Sequence, residues 1–188
     1  MPLSIEENFL ESSIKLFRYY KSLGEKAMAQ LNDEELLAKP NEASNSIAII
    51  VHHLTGNMLS RFTDFLNSDG EKPWRNREEE FEIAYPDKKS VLEAWEKGWS
   101  CLLNALTGLK AEDLSKIIYI RNEGQTVLEA IQRQLAHYPS HIGQILFQAK
   151  ALKGNEFVSL SIPKGGSGEF NKKKFEEEKS IRHFTDRL

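Results

Sequence analysis

Apolar residues recur every three or four positions in four long stretches of this chain, the period of an amphipathic helix. The first stretch opens on Ser4 and Glu7, the S-x-x-E pattern of a capping box. Phe9, Ile14, Phe17, Tyr20, Leu23 and Met28 follow near helical spacing, and Gly24 weakens that helix without ending it. "NDEELLAKP" then predicts a short turn of helix stopped by Pro40. A second long helix is expected from about Asn45 to Asn67, where Ile47, Ile50, Val51, Leu54, Met58, Phe62 and Phe65 step by threes and fours. A third runs from about Ser90 to Leu106, with Val91, Leu92, Trp95, Trp99, Leu102 and Leu106 on its inner side. The fourth starts after a second capping box, Thr126 with Glu129, and runs from Val127 to about Leu152, with Gly154 placed to end it.

Four long amphipathic helices with turn-rich connections predict an all-α fold, a four-helix bundle over residues 1–154. Two of its links are longer than a minimal bundle needs. "SDGEKPWRNREEEFEIAYPDKK" is polar and contains Gly70, Pro73 and Pro86, so it reads as a long ordered loop, and such loops are often functional. "KIIYIRNEGQT" alternates and contains Gly124, which suits a small β-hairpin. Residues 155–188 read as an irregular tail with charge runs, packed on the bundle or extending from it. Trp95, Trp99 and Phe147 are expected in the core, as is Cys101, a small apolar residue by behaviour.

Composition narrows the function. The 25 basic and 28 acidic residues leave a net charge of −3, which offers no basic stripe for nucleic acid. No apolar run reaches the ~18–20 residues of a membrane span. "MPLSIEENFLESS" lacks the charged and apolar regions of a signal peptide. A single cysteine cannot form an intramolecular disulfide, and a reducing cytoplasm is the expected setting.

The chemistry lies in the five histidines, His52, His53, His137, His141 and His183. Residues four apart share a helix face, so His137 and His141 can chelate one ion, a half-site for Zn²⁺ or a similar borderline metal. A facing helix must supply the third ligand. Neighbours on a helix differ by ~100°, so His52 and His53 cannot both face one seam, and His53 lies beside Ile50 and Leu54 on the apolar stripe. Three histidines leave a coordination position open for water or substrate. Asn57 and Gln144 fall on the same faces and could bind a metal-bound water or a substrate; Arg61 lies two turns past His53. Arg61, Arg75 and Arg77, with Trp74, would suit a carboxylate-bearing substrate. Simple pairing of Arg75 and Arg77 with Glu78, Glu79 or Glu80 is the expectation for the two loop residues. H-E-x-x-H is absent, since Tyr138, Pro139 and Ser140 separate the pair, so a peptidase base is missing. No other Asp or Glu can be assigned beside the histidines. Pro139 removes a backbone donor within the last helix and favours a kink there.

"VHHL" followed about 80 residues later by "HYPSHIGQI" resembles the DinB/YfiT-like superfamily. "HIGQILFQAK", "LTGNMLSRFTDFLNSDGEKPWRNREEEF" and "SIPKGGSGEFN" are similar to a branch of it whose function is unknown, and the resemblance spans roughly Ile5 to Lys153. It implies a bundle with one divalent metal ion, Zn or Ni, at one end, held by His53, His137 and His141. It also implies a homodimer. Relatives of that kind include S-transferases and isomerases that use low-molecular-weight thiols, so a metal-dependent transferase acting on a small electrophile is the expected function. A metal-dependent hydrolase and a non-catalytic, stress-related dimeric bundle are the alternatives.

Overall fold

A computed structural model describes residues 3–82 and 85–187 of the chain. Six α-helices and one two-stranded antiparallel sheet are present among the described residues. They are α1 (Ile5–Ala29), α2 (Asp33–Leu37), α3 (Ile47–Phe62), α4 (Lys88–Thr107), β1 (Ile117–Ile120), β2 (Glu123–Thr126), α5 (Val127–Lys153) and α6 (Ser167–Glu176). None of the helices is long and apolar enough to cross a membrane.

The starts of the long helices are set by local chemistry. The Ser4 and Thr126 hydroxyls accept from the backbone N–H of Glu7 and Glu129, whose carboxylates return to the cap N–H. Ser46 opens α3 by accepting from Ile49 N, and Asp87 opens α4 by accepting from Ser90 N. Gly154, at φ 55°, closes α5, a conformation that costs glycine least. The proline does not break α5, which continues through Pro139 to Lys153.

The four long helices share one core. α3 packs along α4 and α1 along α5, while α1 also meets α4 and α3 meets α5. At its centre Phe17 of α1, Trp99 of α4 and Tyr138 of α5 form an aromatic triangle with ring centroids 6.0–6.4 Å apart. Each of the three is fully buried. Trp95 lies beside Trp99 and closes on α1 at Gly24.

Four expectations need correction. The helix forecast to reach Asn67 ends at Phe62, because Asp64 takes a left-handed turn at φ 49°. Phe65 still reaches the core after that turn, which is why the periodicity ran on. Phe147 is 76% exposed rather than buried. The inner face of α5 is set by Tyr138, Ile142, Ile145 and Ala149, and Phe147 sits roughly 200° round from Ile145. Cys101 is only half-buried, its Sγ 3.6 Å from Thr63 Oγ1. The tail is not wholly irregular, since α6 forms there with no buried residue. A Glu169–Lys173 pair at i,i+4, 2.8 Å apart, supports it locally. That helix has no apolar face, so hydrophobic periodicity could not reveal it.

The hairpin forecast stands: Ile118 pairs with Gln125 and Tyr119 with Gly124. Its two-residue turn is Arg121–Asn122, both at positive φ, the geometry that matches strand twist. Asp69, in the loop after α3, accepts from both of those N–H groups at 2.9 Å, and Gly70 N donates to Tyr119 O. The hairpin tip is thereby pinned to the end of α3.

Gly24 is where the Trp95 ring closes on α1. A Cβ there would lie 2.6 Å from Cζ2 of Trp95. Gly24→Ala is therefore expected to destabilise the protein by about 1–3 kcal/mol through overpacking, despite a helix-propensity gain of ~1 kcal/mol. Urea unfolding of the two proteins measures the sign, and a more stable alanine variant would contradict this account of the packing.

Candidate metal centre

His53 lies on α3 one turn before Asn57, and His137 and His141 lie on successive turns of α5. Tyr138, between the two α5 histidines, points into the core and its hydroxyl donates to Asn57 Oδ1 at 2.9 Å. That bond ties the histidine-bearing turns of the two helices together. The three histidines each bring one ring nitrogen to within 4.8 Å of the others. The His53 ring centroid lies 5.6 Å from that of His137 and 5.1 Å from that of His141. His52 is outside the group, its ring edge-on to Tyr85.

Every Nδ1 of the triad meets an oxygen acceptor. His53 Nδ1 is 3.0 Å from Glu80 Oε2, His137 Nδ1 3.2 Å from Gln134 Oε1, and His141 Nδ1 3.0 Å from Gln144 Oε1. Each contact favours the tautomer with hydrogen on Nδ1 and a lone pair on Nε2. The Nε2 atoms of His137 and His141 then face each other at 3.1 Å. Two lone pairs so close repel unless a proton or a cation lies between them. Burial, helped by the positive charge of neighbouring groups, pushes the His137 imidazole down to about 4. Burial likewise lowers His141, against its hydrogen bond to Gln144 Oε1, which acts to raise it. At neutral pH a proton is thus a poor occupant of the gap, and the donor set is one that Zn²⁺ or a similar ion accepts.

Glu80 holds the other side of His53. It arrives on a 3₁₀ turn, Glu79–Phe81, and Phe81 stacks on the His53 ring at 5.3 Å. Arg75 grips the same carboxylate, Nε to Oε1 at 2.6 Å and Nη2 to Oε2 at 2.9 Å. Burial alone would raise the Glu80 carboxyl, but the Arg75 fork and the His53 ring outweigh it and hold it below the usual carboxylate range. Gly56 makes room for this approach: a Cβ there would be 2.8 Å from Cδ of Glu80.

The structure also places the remaining sequence candidates. Asn57 and Arg61 line a cavity of about 250 Å³ together with His53 and His137. Arg61 is buried, and its Nη1 bonds Gly70 O and lies 3.1 Å from Glu71 Oε2. Gln144 holds His141, as described. Arg75 pairs with a glutamate as expected, but Arg77 does not: its guanidinium has no partner among the described residues and faces the cavity. Glu80 and Gln134 were the residues missed as supports of the histidines. Gln134 had a signal, three positions before His137 as Gln144 is three after His141. Glu80 had none beyond its place in a run of three glutamates, because its partner His53 is 27 residues away, across the end of α3 and an irregular loop.

The model of a family described as a protein of unknown function, DUF1572, matches residues 4–166. The chain belongs to that family. No curated protein matches it.

The lowered His137 value has a consequence for stability. Between 6.5, the ordinary imidazole value, and about 4, the unfolded chain binds a proton at His137 that the folded one does not. Stability in the presence of a chelator should therefore rise with pH through that window and be lost on acidification. Urea midpoints between about pH 7 and pH 5 should fall in the parent protein and fall less in His137→Gln. Parallel pH dependences in the two proteins would contradict a buried, neutral His137.

Proposed function

We propose that His53, His137 and His141 hold one divalent metal ion, Zn or Ni, and that this member of the DUF1572 family is a metal-dependent enzyme. The observation that carries the reading is the shared orientation of the triad: each Nδ1 is held by its own acceptor and the ring nitrogens converge. The fold reading that accompanies it is a four-helix bundle of DinB/YfiT type, supported by the side-by-side packing of α1, α3, α4 and α5.

Within such a site the carboxylate of Glu80 orients His53 and raises its basicity as a ligand. Gln134 and Gln144 fix the two α5 rings in the same way. Three protein ligands leave a position open on the cavity side, where Asn57 still has its amide nitrogen to offer a substrate. A divalent ion there would stabilise a bound thiol as its thiolate at neutral pH. The reaction class we assign is transfer of a low-molecular-weight thiol to a small electrophile. It needs no separate base to ionise the nucleophile, which suits a site whose nearest carboxylate is already committed to Arg75 and His53.

Metal analysis of the purified protein, and of protein reconstituted with Zn²⁺ or Ni²⁺, should find one ion per chain. His53→Ala or His141→Ala should abolish stoichiometric binding and leave the helical circular dichroism intact. Absence of bound ion in both wild-type samples would end the reading. A thiol-conjugation assay with a small electrophile, run with and without metal, then tests the reaction class, and activity that ignores the metal would contradict it.

Glu80→Gln should keep the three ligands but weaken metal affinity about 10–100-fold, the usual effect of losing a carboxylate behind a ligating histidine. Competition with a chromogenic chelator measures this. Unchanged affinity would mean that Glu80 serves Arg75 alone.

A further inference from the structure

The cavity beside the triad is lined by five arginines: Arg61, Arg75, Arg77, Arg121 and Arg133. Among the described residues no carboxylate lines it. Three of the five are engaged from behind, Arg61, Arg75 and Arg121 by Glu71, and Arg75 again by Glu80. The guanidiniums of Arg77 and Arg133 have no ion-pair or hydrogen-bond partner among the described residues. Arg61 is 6% exposed, yet its Nε has no hydrogen-bond partner. A chain of net charge −3 has thus gathered five guanidiniums around one small space and left part of their bonding capacity unused. Like charges so assembled repel, and a buried donor without an acceptor is costly.

We propose that this cavity is a binding site for a small organic acid, whose carboxylate or phosphate group is received by Arg77 and Arg133 with Arg61 behind them. Guanidinium donors match the oxygens of both groups in a planar fork. About 250 Å³ holds roughly eight water-sized groups at ~30 Å³ each, room for a small diacid or a phosphomonoester and not for a polymer. His53, His137 and Asn57 line the same cavity, so an acid anchored on the arginines lies beside the triad. Arg133 stands one helical turn before His137 on α5, which places anchor and ligand on one face of one helix. The assignment of this acid as the substrate's charged end rests on the metal-enzyme reading; its binding rests on the arginines alone.

Isothermal titration calorimetry at low salt, with succinate and with inorganic phosphate as probes, tests the site in chelator-treated and metal-reconstituted protein. At least one probe should bind the metal-free protein with one site per chain, and the preferred probe separates the carboxylate source from the phosphate source. Arg77→Gln/Arg133→Gln should weaken it at least about tenfold, as expected for loss of charge-assisted hydrogen bonds. Arg77 and Arg133 are exposed, so the double variant should fold, which circular dichroism checks. Arg182→Gln, in the tail, should bind as wild type. Failure of both probes to bind in either state would overturn the proposal. So would binding that appears only with metal and is indifferent to the double substitution. A wild-type protein that takes up no ion on reconstitution yet binds the probe would remove the metal reading and leave this one standing.

Discussion

The buried carboxylate of Glu80 is the constraint on which the rest of the centre depends. Its side chain is 4% exposed, and that of Arg75 is 2% exposed. Taking such charges out of water costs several kcal/mol per ion unless each is paired and hydrogen-bonded. The Arg75 fork fills one side of the carboxylate and the His53 ring the other. His53 is therefore not free to choose its tautomer. With Nδ1 bound to Glu80, its Nε2 is committed to the side where His137 and His141 converge. The glycine one turn along, Gly56, is what lets the carboxylate come so close. A glycine inside a helix costs ~1 kcal/mol relative to alanine, and here the alternative is a steric clash with the carboxylate that orients His53.

The helices were legible in the sequence because each carries its own period, its own cap and its own stop. The choice of His53 over His52 was legible for the same reason, since adjacent residues on a helix cannot share a seam. Phe147 shows the limit of that reading. A large apolar residue two positions from Ile145 counts toward hydrophobicity but not toward the buried face. The approach of Glu80 was out of reach for a different reason. Its contacts are tertiary, made by a loop whose path is set by Asp69 on the hairpin tip, by Arg75 and by the space at Gly56. None of these leaves a periodic trace. The gathering of Arg121 and Arg133 into one wall with Arg61, Arg75 and Arg77 likewise exists only once α3, the hairpin and α5 are assembled.

The two halves of the site bear on each other electrostatically. A histidine that binds a metal does so as a neutral imidazole, so the triad would bring no charge to offset a divalent ion, and the adjoining arginines would repel one. The negative charge available behind the centre is that of Glu80, already shared with Arg75, and Glu71, shared among three arginines. An ion held by the triad would thus sit in a field that opposes it, and an acid entering the cavity would relieve both that field and the repulsion among the guanidiniums. If both ligands bind as proposed, their affinities are coupled: the anion raises metal affinity by the same factor as the metal raises anion affinity, because the two routes to the doubly bound protein share one free energy. An arrangement of this kind admits metal most firmly when the anionic ligand is present.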